Sequence, residues 1–226
     1  MTRIVNPGSD LASSYRAVQV AASHPGIYAA IGVHPHEVKD AARNYLEQLK
    51  ALADNPKVVA IGEIGLDYHY DLSPRDEQKK AFIEQIALAK ELLLPIIIHD
   101  RESHGDALEI IKQENAGVNG GVLHCFSGSP EFAMECVRLG FYISIAGPVT
   151  FKNSRKLPDV VAAVPLDRLL IETDSPYLAP EPYRGKRNEP LYVRYVAEKV
   201  AAIRGITLNE IIEATSENAI RLFNIV

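Results

Sequence analysis

Pro95-Ile96-Ile97-Ile98-His99-Asp100-Arg101 is a short apolar run that ends abruptly in three strongly polar residues. No polar residue alternates with the isoleucines, so both faces of the segment need cover. That pattern marks a strand of a parallel sheet with helices on either side. Upstream, 73–93 carries Phe82, Ile83, Ile86, Leu88, Ala89 and Leu92 at three- and four-residue spacings, the signature of a helix with a broad apolar face. Ser73-Pro74 reads as its N-cap and first helical residue. Downstream, 103–115 is helical in pattern.

The same unit recurs along the chain. Apolar runs rich in Val and Ile lie at 4–5, 27–33, 58–61, 121–123, 141–145 and 168–171. Each is followed by a helix-like stretch, among them 130–139 and 154–164, and three helical pieces (191–204, 208–214 and 216–223) close the chain. Strand–helix alternation predicts a parallel α/β sheet. An open doubly wound sheet concentrates its chemistry at one switch point. Here polar residues follow nearly every strand: His34 and His36, Glu63, His99, His124 and Asp174. A (β/α) barrel gathers its site from the ends of several strands, and fits better. Barrels have eight strands and about 250 residues. The seven runs in 226 residues predict a TIM-like barrel without its first strand–helix unit, as one domain over 1–226.

Composition narrows the functional classes. No apolar run reaches the length of a membrane span, and the first residues lack a secretion signal. The two cysteines, Cys125 and Cys136, do not form a disulfide framework, so the expectation is a cytoplasmic protein, monomeric by default. A net charge of −5 argues against a protein that coats nucleic acid by electrostatics alone. It leaves room for a nuclease whose metal ions neutralise phosphate.

Glu63, His99, His124 and Asp174 each stand at the end of a buried run. Singly, such a histidine is more often a loop hydrogen-bonding residue, and such a carboxylate a helix cap. Together, two imidazoles and two carboxylates suit Zn, Mn, Fe or Mg ions, one or two per chain. Arg184, Lys186 and Arg187 form the densest basic cluster and suit phosphate oxygens, or equally a solvated loop. Tyr68 and Tyr177 could stack on a base or simply pack; Arg101 could enter the site or pair with Asp100. Glu172 could support a ligand or be a charge buried in the barrel lining, and Cys125 reads as packing.

Several blocks carry a resemblance: Gly32-Val33-His34-Pro35-His36, Gly62-Glu63-Ile64-Gly65-Leu66-Asp67-Tyr68, His124-Cys125-Phe126-Ser127-Gly128, 172–180 and 182–190. In order, and across essentially the whole chain, they resemble the TatD family of metal-dependent deoxyribonucleases. The resemblance implies an amidohydrolase-like TIM barrel that hydrolyses DNA, often from the 3′ end. It implies that Glu63 bridges two metals, that His99 and His124 bind the second, and that Asp174 binds the first and accepts the proton of the attacking water. The family opens with a strand ending in His-x-His that supplies two further ligands, and no such segment precedes 4–5 here. His34-Pro35-His36 matches a different block, near substrate. In an extended chain both rings could face one ion; the simpler expectation puts His34 in the substrate pocket and leaves His36 in a loop. Alternatives to the nuclease are a truncated or non-catalytic relative, and a metal hydrolase of another ester, amide or phosphate.

Overall fold

The structure, a computed structural model, describes residues 2–225. The chain gathers into two compact units, 1–122 and 123–226.

The first unit contains β1 (Ile4–Pro7), α1 (Leu11–Ser23), β2 (Ile27–Ile31), α2 (Tyr45–Ala53), β3 (Val58–Asp67), α3 (Arg75–Glu91), β4 (Ile96–Arg101) and α4 (His104–Gln113). Its strands pair in parallel, β1 with β2, β2 with β3 and β3 with β4. Ile31, Ile61, Ile64, Leu66, Ile96 and Ile98 are among its fully buried side chains. Each contributes roughly 1.5–3 kcal/mol by leaving water. Phe82 and Ile86 on α3 are buried as the helical spacing requires.

Two boundaries differ from the sequence reading. β3 runs on from Ile61 to Asp67, because the ladder tolerates a register irregularity between Ile61 and Ile64 that absorbs Gly62 and Glu63. Glu63 therefore sits inside a strand, not at its end. Ser73 does not cap α3: Pro74 holds the N-cap position without a side-chain bond. The buried Ser73 hydroxyl instead donates to the His36 carbonyl at 3.0 Å. Asp76 and Glu77 in the first turn and Lys90 in the last suit the helix dipole.

β5 (Gly121–Leu123) contains the boundary between the units. The second unit continues with α5 (Pro130–Arg138), β6 (Phe141–Ile145), α6 (Leu157–Ala163), β7 (Leu169–Ile171), α7 (Val193–Arg204) and α8 (Leu208–Phe223). β6 and β7 are parallel, with Ile143 opposite Leu169 and Ile145 opposite Ile171. The two closing pieces read at 208–214 and 216–223 form one helix, α8. Thr215 is accommodated because its hydroxyl donates back to the Ile211 carbonyl at 2.7 Å. A capping box between Thr207 and Glu210 starts this helix, and Asn224 in the left-handed region ends it. No helix of the described residues is long and apolar enough to cross a membrane.

Candidate metal centre

The backbone first decides where the side chains can meet. In the first unit Gly65 lies opposite His99 in the β3–β4 ladder, with φ 139°. A Cβ there would come 2.0 Å from the His99 carbonyl oxygen, so only glycine lets β3 approach the strand that carries His99. The Glu63 amide donates to the Gly8 carbonyl at 3.0 Å, tying the irregular part of β3 to the end of β1.

Both ring nitrogens of His99 then face carboxylates. Nδ1 lies 2.9 Å from Glu63 Oε1, and Nε2 lies 2.9 Å from Asp67 Oδ2. The Asp67 side chain is fully buried. Its Oδ1 accepts the amides of His69 (3.0 Å) and Tyr70 (2.8 Å). Burial works to raise its pKa, but bonds from His99 and the Tyr70 amide, the His99 charge and His36 outweigh it and hold the carboxyl well below the usual range. His36 Nε2 lies 3.0 Å from Asp67 Oδ2, off the angle of a hydrogen bond.

His34 joins this cluster. Its Nε2 is 3.4 Å from Glu63 Oε1 and its ring centroid is 4.4 Å from that of His99. Burial lowers its pKa, only partly offset by the Glu63 bond and charge. His34 and His36 do not share a face as in a strand. The Glu37 amide donates to the His34 carbonyl at 2.9 Å, so the chain turns here and the rings meet nearly edge to face, 77° apart.

Two buried glutamines on α3 hold these segments, and sequence reasoning passed over both. Gln85 accepts the Val33 amide at 2.7 Å and donates to the Val33 carbonyl at 3.0 Å, fixing the residue before His34. Gln78 does the same for Asp67, at 2.9 and 3.2 Å. Their signal was a pair of amides seven residues apart on an otherwise apolar face.

The second unit carries its own polar group. His124 Nδ1 lies 3.4 Å from Glu172 Oε2, and Glu172 Oε1 accepts the Cys125 amide at 2.6 Å. Burial works to raise the Glu172 pKa, but the His124 charge, with bonds from His124, the Cys125 amide and Ser144, outweighs it and lowers the value. Cys125 (φ 43°) and Asp174 (φ 56°) occupy the left-handed region. Non-glycine residues there cost roughly 1–2 kcal/mol each. Asn188, also without an assigned role in the sequence reading, pins the loop around Asp174. Its Nδ2 donates to the carbonyls of Thr173 (2.7 Å) and Tyr177 (2.6 Å).

The remaining candidates spread out. Arg184 lies over the Phe151 ring at 4.2 Å, Lys186 near the Tyr183 ring at 5.8 Å, and Arg187 is exposed. Arg101 lies 4.8 Å from the Tyr70 ring centroid, while Asp100 accepts from Ser103 Oγ and lies 2.6 Å from His104 Nδ1. Tyr68 donates its hydroxyl to Asp106 at 2.6 Å; Tyr177 is 69% exposed and the better placed of the two for a ligand.

The donor set of the first unit fits a metal. One ligand atom each from His34, Glu63 and His99 lies within 4.8 Å of the others. Two imidazoles and a carboxylate match hydrolytic sites that keep a position open for water or substrate.

Comparison with known proteins agrees. Residues 1–224 match the family described as TatD related DNase. The "uncharacterized metal-dependent hydrolase YabD" of Bacillus subtilis is 53% identical over 223 residues, covering 99% of this chain and 88% of that protein. The "3'-5' ssDNA/RNA exonuclease TatD" of Klebsiella pneumoniae is 38% identical, covering 96% of this chain and 85% of that protein. The crystal structure of YJJV, a TatD homolog from Escherichia coli, superposes with a TM-score of 0.94 at 33% identity, over 100% of this chain and 88% of that one. The fold class is therefore the TIM-like (β/α) barrel expected from the strand–helix alternation together with the polar residues that follow several strands, and the chain belongs to the TatD-related DNase family of metal-dependent hydrolases.

Proposed function

We propose that the chain hydrolyses phosphodiester bonds of DNA with divalent metal, removing nucleotides from the 3′ end of single strands. The observation that carries the reading is the Glu63–His99 pair at 2.9 Å, with His34 close enough for the three ligand atoms to lie within 4.8 Å of one another. The exonuclease name of the Klebsiella relative supports the substrate class. In this reading Glu63, His99, His124 and Asp174 hold the metal, the last two on the strength of their motifs. Mg, Mn or Zn, one or two ions per chain, would supply Lewis-acid stabilisation of phosphoryl charge and an acidified water. Asp174 would accept a proton from the attacking water, its strained backbone position consistent with a functional residue. Glu172 orients the His124 ring. His34 and the loop of Arg184, Lys186 and Arg187 contact the substrate.

The test is degradation of 3′-labelled single-stranded DNA with added Mn or Mg. Asp174→Asn should lower kcat by roughly 10²–10⁴-fold. Cleavage that survives a chelator, or that both Asp174→Asn and Glu63→Gln leave intact, sinks the reading. Hydrolysis of a small phosphodiester without DNA cleavage would keep the metal chemistry and discard the DNA substrate. Joint replacement of Arg184, Lys186 and Arg187 by Ala should raise KM for DNA and flatten its salt dependence by about one unit of slope for each phosphate that the loop neutralises. An unchanged salt slope removes the loop from the substrate path.

A further inference from the structure

We infer that the second unit holds a cationic track for the single strand behind its scissile end. The loop after β6, with Lys152, Arg155 and Lys156, joins the loop after β7, with Arg184, Lys186 and Arg187, to bind consecutive phosphates upstream of the 3′ end. The inference rests on the nuclease reading above and extends it along the strand.

Topology brings the two loops together. β6 and β7 are parallel neighbours, and their last residues, Ile145 and Ile171, are in register. The segments that leave them emerge side by side, at the end of the sheet that also carries Asp174. Contacts then lock one to the other. The Thr150 hydroxyl oxygen accepts the Glu181 amide at 2.9 Å. A Cβ on Gly147 would come 2.0 Å from the Leu178 carbonyl oxygen, so glycine lets the segments touch. The Arg184 guanidinium lies over the Phe151 ring at 4.2 Å, which restrains it at the junction of the loops. Asn188 ties the second loop to the carbonyls of Thr173 and Tyr177, on either side of Asp174. The track therefore begins beside the proposed proton acceptor.

Charge sets this surface apart. The chain as a whole is acidic, at −5, yet 152–156 and 184–187 each hold three cations and no acid. Asp159, Glu181 and Glu189 stand outside both runs. All six cations are exposed, and among the described residues none of them meets a carboxylate. Elsewhere Lys50, Arg75, Lys79, Lys90 and Arg194 each do. Like charges crowded on interlocked loops repel one another, and a bound polyanion relieves that repulsion. Aromatic surface accompanies the charge, since Tyr177 is 69% exposed three residues after Asp174. Cations in a row beside an open ring suit a chain that offers a phosphate and a stacking face at every repeat, which is a single strand of DNA.

The experiment is binding of 5′-fluorescein oligothymidylates to the whole protein in EDTA, followed by anisotropy over a range of salt. A fifteen-mer should bind at least about tenfold tighter than a tetramer, whose phosphates are too few to meet both loops. Joint replacement of Lys152, Arg155 and Lys156 by Ala should weaken the fifteen-mer about tenfold or more at low salt. It should also cut the slope of log K against log[salt] by about 2, roughly 0.7 for each phosphate released. Arg155→Glu, a single exposed change, should act in the same direction. Equal affinity for the two lengths, or a salt slope that the triple variant leaves unchanged, overturns the track. Binding of inorganic polyphosphate that depends on the three residues, beside fifteen-mer binding that does not, assigns the surface to another polyanion and overturns it as well. Cleavage lies outside this readout. A protein that binds as expected but cuts no DNA when given Mn defeats the nuclease reading and spares the track. An active nuclease whose fifteen-mer binding ignores the three residues does the reverse.

Discussion

Gly65 separates two reasons for a glycine. Its φ of 139° disfavours any side chain, and a Cβ would also strike the His99 carbonyl. Gly185, with φ 84° and open space around its Cβ position, presents the first reason without the second. Gly185→Ala should therefore cost only backbone strain, about 1–2 kcal/mol. Gly65→Ala should cost several kcal/mol and also weaken metal binding, since the atom that must yield belongs to His99. Urea unfolding of both variants checks this; equal losses would show that the close approach has no consequence. At the same scale, the sequence revealed Glu63 and His99 because each interrupts an apolar run that has no other use for charge. It did not reveal the division of labour between His34 and His36. Their spacing is the same in a strand and in a turn, and only the turn after Val33 sends one ring to Glu63 and the other to Asp67.

Among the elements, α1 offers a clean test of electrostatics. Asp10 caps it, accepting the Ser13 amide at 2.6 Å and the Ser13 hydroxyl in a very short bond. Those bonds, with the side-chain one foremost, lower its pKa against a small effect of burial. A carboxylate whose folded pKa is depressed adds stability above its unfolded pKa, about 3.9, and loses that contribution as pH falls through the folded value. Asp10→Ala should cost about 1 kcal/mol at pH 7, with the difference from wild type vanishing below that window. A gap that stays constant into strong acid would assign the loss to something other than the charge. α3 is the element the sequence disclosed only in part. Its apolar spacing located the helix, but Gln78 and Gln85 looked like interruptions of the core face. In the fold each accepts the backbone amide of one residue and donates to the carbonyl of the same residue. Gln85→Ala strips the Val33 amide and carbonyl of their partners and should destabilise by on the order of 3 kcal/mol; Gln48→Ala, which loses an exposed side-chain bond to Asn44, should stay within about 0.5 kcal/mol.

For the molecule as a whole, the alternation of buried runs and helices identified a parallel α/β sheet, because each parallel strand must be covered on both faces, and the polar residues that follow several strands chose the TIM-like barrel over an open sheet. What the alternation could not show is how the polar residues are braced. Bracing depends on main-chain groups, which carry no sequence signal of their own. The two glutamines of α3 make this tangible. The amides of Val33 and Asp67 are far apart along the chain, yet both donate to side chains of one helix. Neither proton can reach solvent deuterium unless α3 lifts away or its glutamine lets go. If the helix moves as a unit, the two amides should share one exchange free energy, well above that of neighbouring turns. The segments bearing His34 and Asp67 would then open together or not at all, so that the cluster persists as one cooperative block whether or not an ion is present.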